Sequence, residues 1–280
     1  MSDFVPHHLS IASEHTTGNR GAGRLFLLPG SDGRARRIAE RFAKREVIPS
    51  DRQLNVHLGQ LASDDLVVDV GAVATGMGCP SLDIVVTELI RLGARLFLRV
   101  GTAGSLQPGV VRVGDLVIAT GAVRDEATSD AYAPREFPAV ADPDLVRSLE
   151  RAAERCGLGE HTFRGLVHSK DSLFGREFHV GPRAAANQEY MRQLAEMGAL
   201  ASEMETAHLL VLAGVHRGDA LPLSRARALA GAIRCGAVLA IIGDDRPFAE
   251  PELVARAEEG AIDVALAGTL ELFRWLFSGA

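Results

Sequence analysis

The sequence predicts an α/β protein, a sandwich of helices around a mostly parallel or mixed sheet. Three observations carry this. Short apolar runs alternate with stretches of helical spacing almost throughout the 280 residues. Glycine- or proline-containing turns separate them. Gly30, Gly76, Gly101, Ser169, Glu203 and Asp244 all fall where predicted strands end, and ligands of such sheets lie beyond strand C-termini. No internal repeat, low-complexity tract or linker interrupts the chain, so one domain over 1–280 is expected.

Residues 1–23 are polar and irregular. Arg24-Leu-Phe-Leu-Leu28 predicts a strand that ends in the tight turn Pro29-Gly-Ser-Asp-Gly-Arg34. A helix follows with Ala35, Ile38, Ala39 and Phe42 on one face. This turn is either an ordinary connection or an anion cradle, because helix N-termini carry free N–H groups. Residues 46–57 are charged, include Arg52, and predict no element. Asp65–Val73 predicts a strand, and Gly76-Met-Gly-Cys-Pro-Ser81 a second glycine turn. Pro80 suits a first helical turn, Leu82 to Leu92 supply the apolar face, and Gly93 a C-cap. Ser81 stands where a dinucleotide fingerprint needs its third glycine, which argues against that cofactor.

Arg95-Leu-Phe-Leu-Arg-Val100 predicts a buried strand. It is expected to stop at Gly101-Thr-Ala-Gly-Ser105, where glycines let a backbone turn tightly and aim N–H groups at a ligand. Arg99 and the Thr102 hydroxyl suit a small oxyanion such as phosphate. A plain glycine turn beside a solvent-exposed arginine fits the same stretch. Val113–Thr120 predicts a strand, and residues 124–139 a polar connection. Asp142-Pro-Asp144 predicts a helix start capped by Asp142, with its stop at Gly157. Phe163–His168 predicts a strand, 169–182 a loop, 187–197 a helix, and His208–Gly214 an apolar helix. After a basic loop over 216–227, Ile233–Gly243 predicts the last central strand, followed by Asp244-Asp-Arg-Pro247. The final helix starts near Pro251 and ends in Phe273, Trp275, Leu276 and Phe277.

A formal net charge of −6 argues against a nucleic-acid surface, so an anionic substrate needs a local arginine cluster. Cys79, Cys156 and Cys235 have no paired spacing, which fits a reducing cytoplasm and neither a zinc site nor a disulfide framework. The nine histidines form no ligand pattern, so no metal is expected. The first residues lack a basic segment followed by an apolar core, and no apolar run reaches membrane-spanning length. Neither a signal peptide nor a membrane partner is expected.

Ser202-Glu-Met-Glu205 precedes an apolar helix. Its carboxylates are either helix-start partners or a grip on sugar hydroxyls. With Arg99-Val-Gly-Thr-Ala-Gly-Ser-Leu-Gln-Pro108, Val113-Gly-Asp115, the Pro29–Arg34 and Gly76–Ser81 turns and Glu136-Phe-Pro-Ala-Val-Ala-Asp142, it resembles the nucleoside phosphorylase-I family, and its uridine-cleaving branch above all. The similarity runs from about His8 to the final helix. It implies an α/β/α sandwich around a central mixed sheet. It also implies reversible phosphorolysis of a nucleoside, uridine first, to free base and ribose 1-phosphate. Phosphate is then a co-substrate, with no metal or organic cofactor. Carried over by position, Gly30, Arg34, Arg99 and Thr102 bind phosphate, joined by Arg52 from a neighbouring subunit. Met204, Glu205 and Thr102 hold the ribose, and His8 reaches its 5′-hydroxyl across the interface. Ala103, Gly104, Phe174, Arg176 and Glu203 line the base. Arg99, Glu205 and Asp244 are the catalytic set. Shared sites imply an oligomer, by family habit a hexamer built from dimers.

The match departs in three places. Ser169-Lys-Asp-Ser-Leu-Phe-Gly-Arg-Glu-Phe178 stands where uridine enzymes carry a Phe-Tyr-Pro-Gly-Gln-x-Arg segment that reads uracil. Phe174 is then left to stack on the base, and Arg176 either replaces the missing reader or is an ordinary loop arginine. Ser31 replaces a frequent Asp. Asp244, with Asp245 and Arg246 beside it, falls where purine enzymes have an Asp. The alternatives are therefore a purine nucleoside phosphorylase, a nucleosidase using water, and a non-catalytic nucleoside-binding homologue.

Overall fold

In β1 (Leu25–Leu28) every residue is buried, and successive side chains serve opposite faces of the sheet. Leu25 and Leu27 join one apolar cluster, Phe26 the other. The structure, a computed structural model, describes residues 4–63, 66–216, 232–244 and 250–278. The greater part of the basic loop over 216–227, Asp245 and Arg246 lie outside the described residues.

β1 pairs in parallel with β4 (Leu66–Val73) on one side and β5 (Leu96–Ser105) on the other. Beyond β4 come β3 (Val56–Ser63) and then β2 (Ala43–Ile48), both antiparallel to their inner neighbours. Beyond β5 the sheet curls. β5 pairs with β10 (Arg234–Gly243), β10 with β6 (Leu116–Asp125), β6 with β8 (Thr162–Lys170), and β8 with β9 (Ala201–Glu203). β9 then pairs back to β5 through Gly104↔Ser202 and Ser105↔Ala201. A five-stranded ring therefore closes on one half of a mixed sheet. Ala103, Val117, Ala119, Val167, Ala201, Ala237, Leu239 and Ile241 form its apolar cluster. The two-residue β7 (Ala139–Val140) pairs with β6 outside the ring.

Helices cover both faces, as the expected sandwich requires. α1 (Asp32–Ala39), α3 (Pro143–Arg155) and α6 (Pro251–Phe277) supply one apolar cluster. α2 (Cys79–Leu92) and α5 (Thr206–Val215) supply the other. α4 (Ala184–Glu196) packs Met191 and Leu194 against Ala199. Predicted local signals reappear here. Asp142 caps α3 by accepting from the backbone N–H of Asp144 at 3.0 Å and Leu145 at 3.1 Å, and Gly93 ends α2 with φ 109°.

Two expectations are corrected. Residues 43–63 form β2 and β3, where no element was expected. In β2 five of six residues are exposed, so no apolar alternation marks it in the sequence. Gly101 to Ser105 is not a turn. The strand runs straight through it, without a positive φ at either glycine. The glycines serve close approach instead. A Cβ at Gly101 would stand 2.6 Å from Leu239 Cδ2 and 3.1 Å from Arg99 Nε, and one at Gly104 would overlap the Glu177 carboxylate.

Candidate active site

The site forms where β1, β4 and β5 end beside α5. The two glycine turns meet there: the Thr75 N–H donates to Pro29 O at 2.9 Å, and a Cβ at Gly30 would stand 3.5 Å from Gly76 O. Ser31 caps α1, accepting from the Arg34 N–H at 3.4 Å. That places Arg34 in the first helical turn with its side chain turned inward. Its Nη2 pairs with Glu258 of α6, its Nη1 lies 3.5 Å from Val100 O, and its Nε is buried without a hydrogen-bond partner. Burial pulls Arg34 below its ordinary value against the pull of Glu258, and nearby Arg99 adds to the lowering.

Arg99 is not solvent-exposed. It is 3% exposed, and its side chain runs over Gly101 toward two carboxylates. Nε donates to Glu203 Oε2 at 3.0 Å and Nη2 pairs with Glu205. Nη1 is buried with no hydrogen-bond partner. Burial opposes the charge on Arg99, but Glu205 and then Glu203 outweigh it and hold the guanidinium above its ordinary range. Arg34 and Arg99 thus each present a buried N–H without an acceptor, the arrangement an oxyanion would complete.

The two carboxylates differ in environment. Glu203 accepts from Ser169 Oγ and from the backbone N–H groups of Glu205 and Thr206, the latter two at 3.0 Å. It ties down the start of α5. Burial acts against its charge, and Arg99 with these hydrogen bonds draws it below the ordinary range. Glu205 accepts from the Gly78 N–H at 2.6 Å. Burial, reinforced by the Glu203 charge, raises Glu205 despite Arg99. Between them Met204 is partly exposed, as are Thr102 and Gly104 on β5, while Ala103, Glu203 and Glu205 are buried. The recorded β5–β9 pairing ends at Gly104↔Ser202, and Met204 follows the end of β9.

Two of the expected base readers, Phe174 and Arg176, stand on the short helical segment Leu173–Glu177 after β8. Phe174 is 65% exposed and meets Phe178 edge-on, ring centres 5.8 Å apart. Arg176 turns into the protein: its Nε lies 2.7 Å from Asp125 Oδ2, its Nη1 2.8 Å from Asn187 Oδ1, and its guanidinium 4.3 Å from the Tyr190 ring centre. Asp244 follows Gly243, which pairs with Gly104, and is partly buried. His8 and Arg52 stand together, and their loop is tied through Asn55 to Asp32 at the start of α1. Ser50 Oγ donates to His8 O at 2.8 Å and accepts from the Arg52 N–H at 3.3 Å. Neither is a partner of Arg99, and Arg52 is exposed.

Two features escaped sequence reasoning. Glu88 on α2 is 6% exposed and gathers the backbone N–H groups of His7, His8 and Leu9, with His8 Nδ1 at 2.8 Å. This fixes the His8 ring and leaves Nε2 as its outer nitrogen. Lys170 and Glu177 pair beside Gly104; their signal was present in the segment Ser169–Phe178, which departs from its expected pattern at those positions. Among the described residues no group of three or more metal-ligating side chains occurs, and no helix is long and apolar enough to cross a membrane.

The model of the phosphorylase superfamily matches residues 24–223. A uridine phosphorylase of Treponema pallidum is 37% identical over 247 residues, covering 87% of each chain. A uridine phosphorylase of Escherichia coli is 33% identical over 216 residues, 76% of this chain and 81% of that one. A guanosine phosphorylase of Halorubrum lacusprofundi is 36% identical over 189 residues, 68% of this chain and 71% of that one.

Proposed function

The chain belongs to the phosphorylase superfamily, and from that premise we propose that it cleaves nucleosides, uridine first, with phosphate. The observation that carries this reading is the buried Arg99, held by Glu203 and Glu205, with an N–H left over beside that of Arg34. Phosphate taking those N–H groups is fixed as the nucleophile. Its oxygen forms a bond to ribose C1′ as the C1′–N bond breaks and the bonding pair leaves with the base. Arg99 exchanges Glu205 for phosphate, and Glu205 turns to the 2′- and 3′-hydroxyls. Its hydrogen bonds strengthen as positive charge grows on the ribosyl ring. Met204 and Thr102 flank the sugar. Ala103 and Gly104 continue toward the base, and Glu203 acts by holding Arg99 and the start of α5. No step calls on a metal or organic cofactor.

His8 and Arg52 complete the site of a second copy of the chain, with Glu88 orienting His8. A dimer is therefore the smallest active unit, and a hexamer of three dimers the expected assembly. The absence of a disulfide at Cys79, Cys156 and Cys235 supports a cytoplasmic setting. A second reading, a purine substrate, is favoured by an acidic residue, Asp244, directly after Gly243, which pairs with Gly104, and by the guanosine phosphorylase relative.

The test is a panel of uridine, thymidine, inosine, guanosine, adenosine and cytidine, each with and without phosphate, read by base release. Phosphate-dependent release from uridine is expected. Release that ignores phosphate would make the protein a nucleosidase, and cleavage of purine nucleosides alone would select the second reading.

A further inference from the structure

Arg34 is held in the site by a different device from Arg99. It stands in the first turn of α1, where an arginine is free to extend its stem toward water. Here the side chain is only 12% exposed. Glu258 of α6 keeps it in. One carboxylate oxygen of Glu258 pairs with Arg34 Nη2, and the other lies 2.5 Å from Arg37 Nη1. Arg34 and Arg37 are three residues apart and so share a face of α1. Glu259 takes the other two nitrogens of Arg37, Nε at 2.9 Å and Nη2 at 2.6 Å. Burial acts against the charge on Glu258, and the two arginines hold it below the ordinary carboxylate range.

These contacts decide which donor of Arg34 is left over. Nη2 belongs to Glu258 and Nη1 faces Val100 O at 3.5 Å, so two of the three nitrogens are tethered by the protein. Nε is the buried one without an acceptor. Val100 follows Arg99 on β5, so the same tether sets Arg34 near Arg99, whose like charge opposes it. Glu258 offsets that opposition. Glu205 and Glu258 therefore differ in kind. Glu205 pairs with Arg99 and takes the Gly78 N–H. Glu258 is anchored by a second arginine, Arg37, and so keeps its charge and its place when an anion draws on Arg34.

Resting on the phosphorolysis reading, we propose that Glu258 is a positioning residue for phosphate, acting through Arg34. It touches no substrate. It fixes the Arg34 fork with Nε–H free for the oxyanion, and it stays on Nη2 while phosphate binds and reacts. Arg37 is its anchor. A guanidinium set in advance loses less freedom when the anion arrives. Glu258 therefore acts on phosphate affinity and leaves sugar and base alone. The Arg99–Glu205 pair exchanges partners during the reaction, whereas the Arg34–Glu258 pair is kept.

The experiment measures kcat and the KM for phosphate and for uridine in Glu258→Ala, Arg34→Ala, the double variant and Arg41→Ala. Glu258→Ala is expected to raise the phosphate KM about tenfold or more, with kcat within about threefold and the uridine KM at saturating phosphate within about twofold. Arg34→Ala raises the phosphate KM too, and adding Glu258→Ala to it should change the value by no more than about twofold, because Glu258 acts only through Arg34. Arg41→Ala cuts two other ties between α1 and α6, to Glu259 and Asp263, and should keep the wild-type phosphate KM. Should Glu258→Ala not fold, Glu258→Gln takes its place, with a rise of about threefold or more. A phosphate KM that Glu258→Ala leaves unchanged, one that rises together with the uridine KM, or one that Arg41→Ala raises equally overturns the proposal. So does a double variant much weaker than Arg34→Ala. If Arg34→Ala itself leaves the phosphate KM unchanged, the assignment of Arg34 to phosphate fails and takes the proposal with it. If no nucleoside is cleaved, the phosphorolysis reading fails by itself, and calorimetric titration of the same proteins with inorganic phosphate decides by the same criteria; a wild type that binds no phosphate overturns both.

Discussion

Arg99 lies between two buried carboxylates, and this sets what its replacement does. Read from the sequence, Arg99→Ala removes a phosphate contact and spares the fold. In the structure it also leaves Glu203 and Glu205 buried without their cation, a change that costs about 3–5 kcal/mol. Arg99→Ala should therefore lose phosphorolysis and melt well below wild type. Arg99→Lys, which keeps the charge but not the planar fork, should hold most of the stability and lose about 100-fold or more in kcat/KM. Thermal denaturation run beside steady-state kinetics separates the two. Glu205 gives a pH prediction. Burial first, and Glu203 second, raise its carboxyl above the ordinary 4.5. A raised carboxyl takes its proton earlier as pH falls, so the acid limb of kcat/KM should lie above 4.5, and Glu203→Gln should move it down. Arg34, Arg99, Glu203 and Glu205 were legible because each sits in a compact motif. The engagement of Arg176 was not, since Asp125 reaches it from β6, far along the chain, and Asn187 and Tyr190 from the neighbouring α4.

Elements were legible where a cap or a two-sided apolar pattern marked them. Asp142-Pro143 announced α3, and the backbone N–H groups of Asp144 and Leu145 do bond to Asp142. Arg234 of β10 lies 3.5 Å from the same carboxylate. Asp142→Ala should thus lower unfolding free energy by about 1–2 kcal/mol in chemical denaturation, with Asp142→Asn recovering most of it. β2 was hidden because its exposed, charged face carries no alternation, and an edge strand of that kind resists pairing with other chains. The glycines of β5 misled for a different reason. Glycine marks both turns and close approaches, and only the neighbours Leu239 and Glu177, distant in sequence, tell which.

For the whole molecule, the sandwich follows from alternation of elements, but ring closure through β9 does not, since it depends on the two residue pairs of one short strand. The proposed service of His8 and Arg52 to a second copy belongs to this scale too; the two are joined through the Ser50 hydroxyl. With such service, a His8→Ala/Arg52→Ala double variant and Arg99→Lys, each nearly inactive, should complement on mixing after subunit exchange. Random pairing across a two-fold interface restores roughly a quarter of intact sites. Activity that stays at the level of the separate variants would place all site groups in one subunit.

On the proposed roles of Arg99 and Glu205, the contact between them ties the two co-substrates together thermodynamically. Each group occupies the other. Whichever ligand arrives first must part them: phosphate by drawing off Arg99, the nucleoside by drawing off Glu205. The second ligand then finds its group already released. Linkage makes the effect mutual, so phosphate should tighten nucleoside binding by the same factor by which the nucleoside tightens phosphate binding. Calorimetric titrations with a slow nucleoside analogue, with and without phosphate, should show that synergy in wild type and its loss in Glu205→Ala.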